Sequence, residues 1–454
     1  MTAAAAAAHT PALAAPAGGP GPRRSLLLAG GGMRVAYQAG VLVALERAGL
    51  VFAHADGTSG GTMNLGMLLS GLGPQEMCER WRTLNVRDFV SLLPVRRLLQ
   101  GPPYPGFGSS EGIRRRVYPH LGIDPGRIRA ARGMAATFNV CDYGRKVCVA
   151  VPHEEVDLDL LVAGVSLPML TPAVEREGRI YVDAVWIKDV NVAEAVARGA
   201  EELWLVWAIG NHGVYRDGPL QHYVHMIEMS ANGKLFAELE QVRAANATRE
   251  TPIRLHVVRP RYPLPLDPDL LLGRIDAATL IAMGHRDACD YLAARTADGV
   301  ELGPQATRME DPRPGVGFRA TLAGEVGGDL VVRLGFEIDD LEVFAGSGRG
   351  RLVGDVSHPA IGRRVLADGG EFRREGGGWS AELRLAGARL ELGRRVGARR
   401  SVEARLLEAA GSELGAGRLA PTGRPAWATV HARGVGSMLE GARALARFAR
   451  LVVG

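Results

Sequence analysis

A chain of 454 residues and 48.3 kDa is too long for one simple core and should divide into two domains or three. Its 47% hydrophobic and 23% charged residues suit a globular protein, and 60 glycines with 26 prolines indicate many turns rather than a fibrous repeat. The net charge of +5 is spread out, apart from short clusters such as Arg114 to Arg116 and Arg399–Arg400; without a nucleic-acid motif it argues against nucleic acid and leaves an anionic lipid surface.

Residues 1–24 are rich in Ala, Pro and Gly and lack a basic region ahead of an apolar core, so they read as a disordered tail rather than a signal peptide. Ser25–Leu28 is a short apolar strand that runs into Ala29-Gly30-Gly31-Gly32. Val35 to Ala48 has helical apolar spacing and closes at Gly49. Val51–Ala55 is a second short strand, broken by Asp56-Gly57, and Thr62–Leu72 is helical again. Strand, glycine turn and helix in repetition predict a parallel α/β sheet.

From Met77 to Phe107 the chain carries Trp81, Phe89, Leu92, Leu93, Leu98, Leu99, Tyr104 and Phe107, interrupted by Arg96, Arg97 and prolines. An amphipathic helix packed on the sheet is the preferred reading, with a lid over a site as the alternative. Met134–Val140 and Val147–Val151 form a hairpin around Asp142-Tyr143-Gly144-Arg145; it brings Cys141 and Cys148 close, and free thiols are expected there. Asp159–Leu170 is apolar and rich in small residues, and Arg179–Val182 is a short strand. Leu203–Ile209 reads as a central parallel strand, Leu220–Ala245 as a long helix, Ile253–Val258 as a strand and Ala277–Ala294 as a helix.

Past about residue 300 the texture changes. Leu330–Ile338, Gly350–Val356, Glu371–Arg374, Trp379–Leu385, Arg389–Leu392 and Ala428–Ala432 are short strands between Gly-rich turns, which predicts an antiparallel barrel or sandwich. Met438–Val453 is an amphipathic helix with Arg443, Arg447 and Arg450. Asp339-Asp340-Leu341-Glu342 and His358 do not have metal-ligand spacing, and neither metal nor cofactor is expected. No run of about eighteen apolar residues occurs, so contact with a membrane would be peripheral.

Gly57-Thr58-Ser59-Gly60-Gly61 fits G-x-S-x-G between a strand and a helix. The flanking glycines Gly57 and Gly61 permit the sharp turn that presents a serine hydroxyl at a strand tip. The bland alternative, a tight turn with a capping serine, weighs equally on the motif alone. Gly30-Gly31-Gly32-Met33-Arg34 lies at a second strand–helix junction. It is neither G-x-G-x-x-G nor a P-loop, and an oxyanion hole of backbone amides with Arg34 in support fits it better. Asp183, directly after a short strand in Tyr181-Val182-Asp183-Ala184, is placed to face the serine, although such an aspartate is more often a turn-former.

Together, G-G-G-x-R, G-x-S-x-G and an Asp after Ala163-Gly164-Val165-Ser166-Leu167-Pro168 with Pro172 resemble the patatin-like phospholipases over roughly residues 25 to 294. The resemblance implies a three-layer α/β fold with a mainly parallel central sheet at 25–298, followed here by a small antiparallel β-rich domain at 310–433 and a terminal helix at 434–454. It also implies a Ser–Asp dyad without histidine: Ser59 attacks a lipid acyl ester, Asp183 takes its proton, and Gly30, Gly31 and Gly32 with Arg34 hold the oxyanion.

Substrates would be phospholipid, lysophospholipid or acylglycerol, and the expected location is cytoplasmic, at or near a membrane. Oligomeric state leaves no sign in the sequence. The chain departs from the family's Asp-Gly-Gly or Asp-Gly-Ala in Asp183-Ala184-Val185, where the β-branched Val185 could displace the aspartate. The competing expectation, from another class, is therefore a catalytically silent scaffold that binds lipid or a protein partner. A conventional triad through His54, His153 or His285 is disfavoured by their spacing.

Overall fold

The computed structural model describes residues 6–16, 18–19, 21–89, 91, 106, 108–375, 378–394 and 401–453, so residues 92–105, Phe107 and Arg399–Arg400 fall outside it. The chain forms two compact units, Met1–Leu271 with Ala294–Met309 and Leu272–Ala293 with Glu310–Gly454.

The first unit is built on an eight-stranded sheet: β1 (Arg24–Leu28), β2 (His54–Thr58), β3 (Ala135–Asp142), β4 (Val147–Pro152), β5 (Val174–Arg176), β6 (Arg179–Asp183), β7 (Glu202–Val206) and β8 (Arg254–Val258). The main order is β5-β6-β3-β2-β1-β7-β8, and the β1–β2, β2–β3, β1–β7 and β7–β8 pairs are parallel. Two helices follow the two glycine turns, α1 (Ala36–Arg47) and α2 (Gly61–Leu69). Ala36 to Leu45 and all of α2 are buried, so both are central helices, apolar nearly all round.

One boundary differs from expectation. The second strand does not break at Asp56-Gly57 but runs His54–Thr58, through both residues, buried throughout. Asp is rare within strands because its carboxylate competes with the ladder. Here Thr137 Oγ1 at 2.6 Å, Asn139 Nδ2 at 2.7 Å and the Asn191 N–H at 3.3 Å donate to the Asp56 carboxylate and satisfy it within the sheet.

The second unit is antiparallel. Strands β9 (Gly315–Glu325), β10 (Asp329–Ile338), β11 (Arg349–His358), β12 (Gly362–Leu366), β13 (Gly369–Glu375), β14 (Gly378–Leu385), β15 (Ala388–Arg394), β16 (Val402–Glu408), β17 (Glu413–Thr422) and β18 (His431–Arg433) form one sheet. Because β9 pairs with both β10 and β17, the path closes into a barrel, which removes the exposed edges of an open sheet. Val332, Leu334, Leu352, Leu383, Leu390 and Leu406 fill its core. The expected strand Ala428–Ala432 is instead a short turn, Ala426–Thr429, followed by β18.

Among the described residues this unit also holds the helices Ala277–Ala294, Leu341–Ser347 and Met438–Val453. In Ala277–Ala294, Arg286 donates to Leu352 O at 3.0 Å and Asp287 pairs with Arg351. Met438–Val453 turns Ala444, Phe448 and Leu451 towards the barrel core, with Phe448 5.8 Å from the Phe318 ring, so its apolar face is already covered. Among the described residues no helix is long and apolar enough to cross a membrane.

Candidate active site

Strand pairing alone brings three chain ends together. β3 pairs with β2 in parallel as far as Thr58↔Asn139, and with β6 in the antiparallel sense from Val140↔Asp183 onward. β4 pairs along Thr137 to Asp142 and so occupies the other edge of β3. A strand has two edges, so β2 and β6 must share one and meet end to end. Ser59 leaves the tip of β2 at the level where Asp183 ends β6. β1 runs beside β2, with Leu28 opposite Gly57, and delivers the Gly30–Arg34 loop to the same place.

Ser59 holds φ at 51°, the left-handed region that a residue with a Cβ adopts only under constraint, at a cost of about 1–3 kcal/mol. The constraint comes from both sides. Its carbonyl accepts from the Thr62 N–H at 3.0 Å and from Thr62 Oγ1 at 2.6 Å as α2 begins. Around it the backbone leaves no room: a methyl on Gly30 would lie 2.8 Å from Ser59 Cβ, and one on Gly60 would lie 2.6 Å from Gly32 O. A methyl on Gly61 would collide with the Leu28 and Ala29 carbonyls, where α2 packs directly on the end of β1. Gly61→Ala should therefore destabilise the protein by roughly 2 kcal/mol or more, measured by urea denaturation; an unchanged midpoint would show that the turn can relax.

Asp183 is fully buried. Its N–H donates to Ser166 O at 2.9 Å, and Oδ1 accepts the Val185 N–H at 2.9 Å. Ser166 is itself tied by its hydroxyl to Val162 O at 2.8 Å, so the Ala163–Pro168 segment fixes the backbone of the aspartate. The Ser59 hydroxyl lies close enough to the Asp183 carboxylate to oppose the rise in its pKa, but no bond of full hydrogen-bond geometry joins the two, and Oδ2 has no partner among the described residues. Such apo contacts tighten when substrate excludes water. Burial pushes Asp183 up to about 7, against the opposing pull of Ser59 and the Val185 amide.

In the glycine loop, the Gly30 N–H donates to Asp189 Oδ2 at 2.8 Å and the Met33 N–H to Asp267 Oδ1 at 3.1 Å. Arg34 folds back, its Nε donating to Gly31 O at 3.0 Å, so the guanidinium braces the loop. Gly31 and Gly32 have φ of 150° and 59°, and among the described residues their N–H groups have no acceptor. Of the three glycines, the second and third thus keep donors for an anion, whereas the first is committed to Asp189.

Sequence reasoning missed three carboxylates in this site: Asp56, Asp189 and Asp267. Burial raises all three, Asp56 to about 7 and Asp189 well above the ordinary range, with neighbouring Asp183 adding to the effect on Asp189 and Arg34 opposing it. No local motif marks them. The only available signal was that Asp189 and Asn191 follow Asp183 closely in a segment with no other reason to be polar.

Val185 does not crowd the aspartate: its side chain belongs to the buried cluster that also holds Leu27, Ala29 and Trp207, and its N–H anchors the carboxylate. His54 is a core residue between Ser25 Oγ at 3.2 Å and Thr137 Oγ1 at 3.1 Å, and burial lowers its pKa to about 3. His153 is engaged with Ala131 O at 3.2 Å, and His285 belongs to the barrel unit. Met77, Cys78 and Trp81 are buried in the helix Pro74–Thr83, as expected of a packed helix, and Trp81 Nε1 donates to Asn64 Oδ1 at 2.8 Å. The remainder of the lid-like stretch, 92–105 and Phe107, is outside the described residues. Cys141 and Cys148 face each other across β3 and β4 as free thiols.

Residues 26–196, which contain the serine turn, the glycine loop and the aspartate, match the family model described as patatin-like phospholipase. A comparison with curated proteins found none that matches.

Proposed function

Residues 26–196 being a patatin-like phospholipase domain, of a family of lipid acyl hydrolases, we propose that this chain hydrolyses an acyl ester of a lipid through a covalent Ser59 intermediate. The reading rests on one observation: the strained Ser59 hydroxyl faces the buried Asp183 carboxylate beside two unengaged amides.

In the first half-reaction, Asp183 accepts the hydroxyl proton as Ser59 Oγ attacks the ester carbonyl. The N–H groups of Gly31 and Gly32 receive the oxyanion, and the α2 N-terminus adds its dipole. The alcohol leaves with the proton. In the second half-reaction, Asp183 takes a proton from water, which attacks the acyl-enzyme and releases the fatty acid. Asp189 and Arg34 act on geometry: one fixes Gly30, the other Gly31.

A lipid substrate suits the surroundings. Tyr223 donates its hydroxyl to Pro168 O at 3.0 Å and lies near enough to Asp183 for that charge to raise it, to about 12 with burial the larger cause. The adjoining Met169, Leu170, Leu220 and Met226 are exposed large apolar side chains, which suits approach from a lipid surface. Phospholipid, lysophospholipid and acylglycerol all fit this reading.

The test is direct. Purified protein should hydrolyse a p-nitrophenyl acyl ester, and a fluorophosphonate should label a single peptide at Ser59. Protein that is folded, neither labels nor turns over, yet binds lipid vesicles would be a silent scaffold, and the enzyme reading would be abandoned.

A further inference from the structure

Within the barrel unit, three side chains of different chemistry converge. His285 and Cys289 stand one turn apart on the helix Ala277–Ala294, and i, i+4 spacing puts both on one face. Asp368 lies in the tight connection between β12 and β13. His285 Nε2 is 3.0 Å from Asp368 Oδ1 and 3.6 Å from Cys289 Sγ, and Sγ is 3.7 Å from the same Oδ1.

We propose that His285, Cys289 and Asp368 form a binding site for one zinc ion.

Two arguments carry the assignment. The first is metric. Tetrahedral zinc, with bonds of about 2.3 Å to sulfur and about 2.0–2.2 Å to nitrogen and oxygen, sets its ligand atoms roughly 3.3–3.6 Å apart. The two edges at sulfur, 3.6 and 3.7 Å, are of that size and are the longer ones, as the longer bond demands, while the 3.0 Å edge between Nε2 and Oδ1 is a hydrogen-bond distance that opens by a few tenths of an ångström when an ion replaces the shared proton.

The second is topological. A thiol–imidazole–carboxylate relay places its thiol and carboxylate on different ring nitrogens. Here both face Nε2, so the groups converge on a point instead of forming a chain. One thiolate with one imidazole selects a borderline-soft ion over magnesium or calcium.

The frame is rigid. Asp368 is fixed by its N–H to Arg384 O at 2.8 Å and by the neighbouring Ala367 N–H to Gly354 O at 2.9 Å. The helix is fixed by Arg286 to Leu352 O and by the Asp287–Arg351 pair. The His285 side chain is fully buried whereas that of Asp368 is 25% exposed, which leaves the fourth position open to water. Zinc there would clip the helix to the β12–β13 turn of the same unit.

The experiment uses the full-length untagged chain, stripped with a chelator and titrated with Co²⁺. One equivalent should bind with a thiolate-to-cobalt charge-transfer band in the near ultraviolet, and Zn²⁺ should abolish the band. Zn²⁺ should also protect Cys289, mapped by peptide, from alkylation while leaving the rate at Cys148 unchanged. Cys289→Ser should lose the band, and Asp368→Asn should weaken Zn²⁺ by on the order of 10–100-fold or more, since even outer-shell losses reach that range. Absence of a stoichiometric Co²⁺ complex in the wild type overturns the proposal, as does a wild-type spectrum indistinguishable from that of Cys289→Ser. The wild-type spectrum decides the matter even if a variant fails to fold.

Discussion

Ser59→Ala should reduce kcat for acyl-ester hydrolysis by on the order of 10⁴-fold or more, because the neighbouring hydroxyls are committed elsewhere, Thr58 Oγ1 accepting from Asn139 Nδ2 at 2.9 Å and Thr62 Oγ1 donating to Ser59 O at 2.6 Å. KM should change little, since the hydroxyl contributes to the reacting centre and not to the apolar rim. The substitution should leave stability nearly unchanged. Alanine relieves none of the backbone strain at φ 51°, so the melting temperature should stay within a degree or two of the wild type. Steady-state kinetics with a chromogenic ester, alongside a thermal melt, separates the two effects. A variant that retains more than about a tenth of wild-type turnover would move the nucleophile elsewhere and sink the mechanism.

Asp183→Asn should have opposite effects on activity and stability. Loss of the base should lower kcat by on the order of 10²–10⁴-fold. The buried carboxylate is raised from 3.8 to about 7, so holding it ionised at pH 8 costs the fold roughly 2–4 kcal/mol, which a neutral amide would not. Asparagine can keep the Val185 bond through its Oδ1, and the melting temperature should rise by several degrees at pH 8.

Between about 4 and 7 the folded protein holds a proton that the unfolded chain has released, so wild-type stability falls as pH rises through that window. Asp183→Asn should flatten part of that slope. Turnover in the wild type should increase with pH, with an inflection near 7, as the base ionises. A variant less stable than wild type at pH 8 would show that the carboxylate is held by contacts stronger than its desolvation.

The parts of this site that could be read from sequence are those made by local turn chemistry. Glycines at 30–32, 57, 60 and 61 are required where backbones approach or φ turns positive, and such demands act within a few residues. Asp56 is hard to read from sequence for the complementary reason. Asp-Gly is a turn signal locally, and only partners more than 80 residues away, Thr137 and Asn139, make it a strand.

The same limit explains the barrel. Gly315–Glu325 and Glu413–Thr422 are not legible as strands because they mix glycine, arginine and half-buried positions in place of clean alternation. Their pairing closes the ring and depends on long-range register. The amphipathic pattern of the terminal helix is legible, but nothing local says that Phe448 and Leu451 meet a protein core in place of lipid.

Because β2 and β6 lie head to head along one edge of β3, the spacing between hydroxyl and carboxylate is set by a single ruler, the backbone of residues 139 and 140. Connections that lengthen or shorten elsewhere leave that gauge unchanged. A slip of β6 by one position would shift its terminal acid by about 3.3 Å and turn it to the opposite side of the sheet. Variation in this scaffold should therefore accumulate in its loops, while any insertion into the third strand disconnects the chemistry at once.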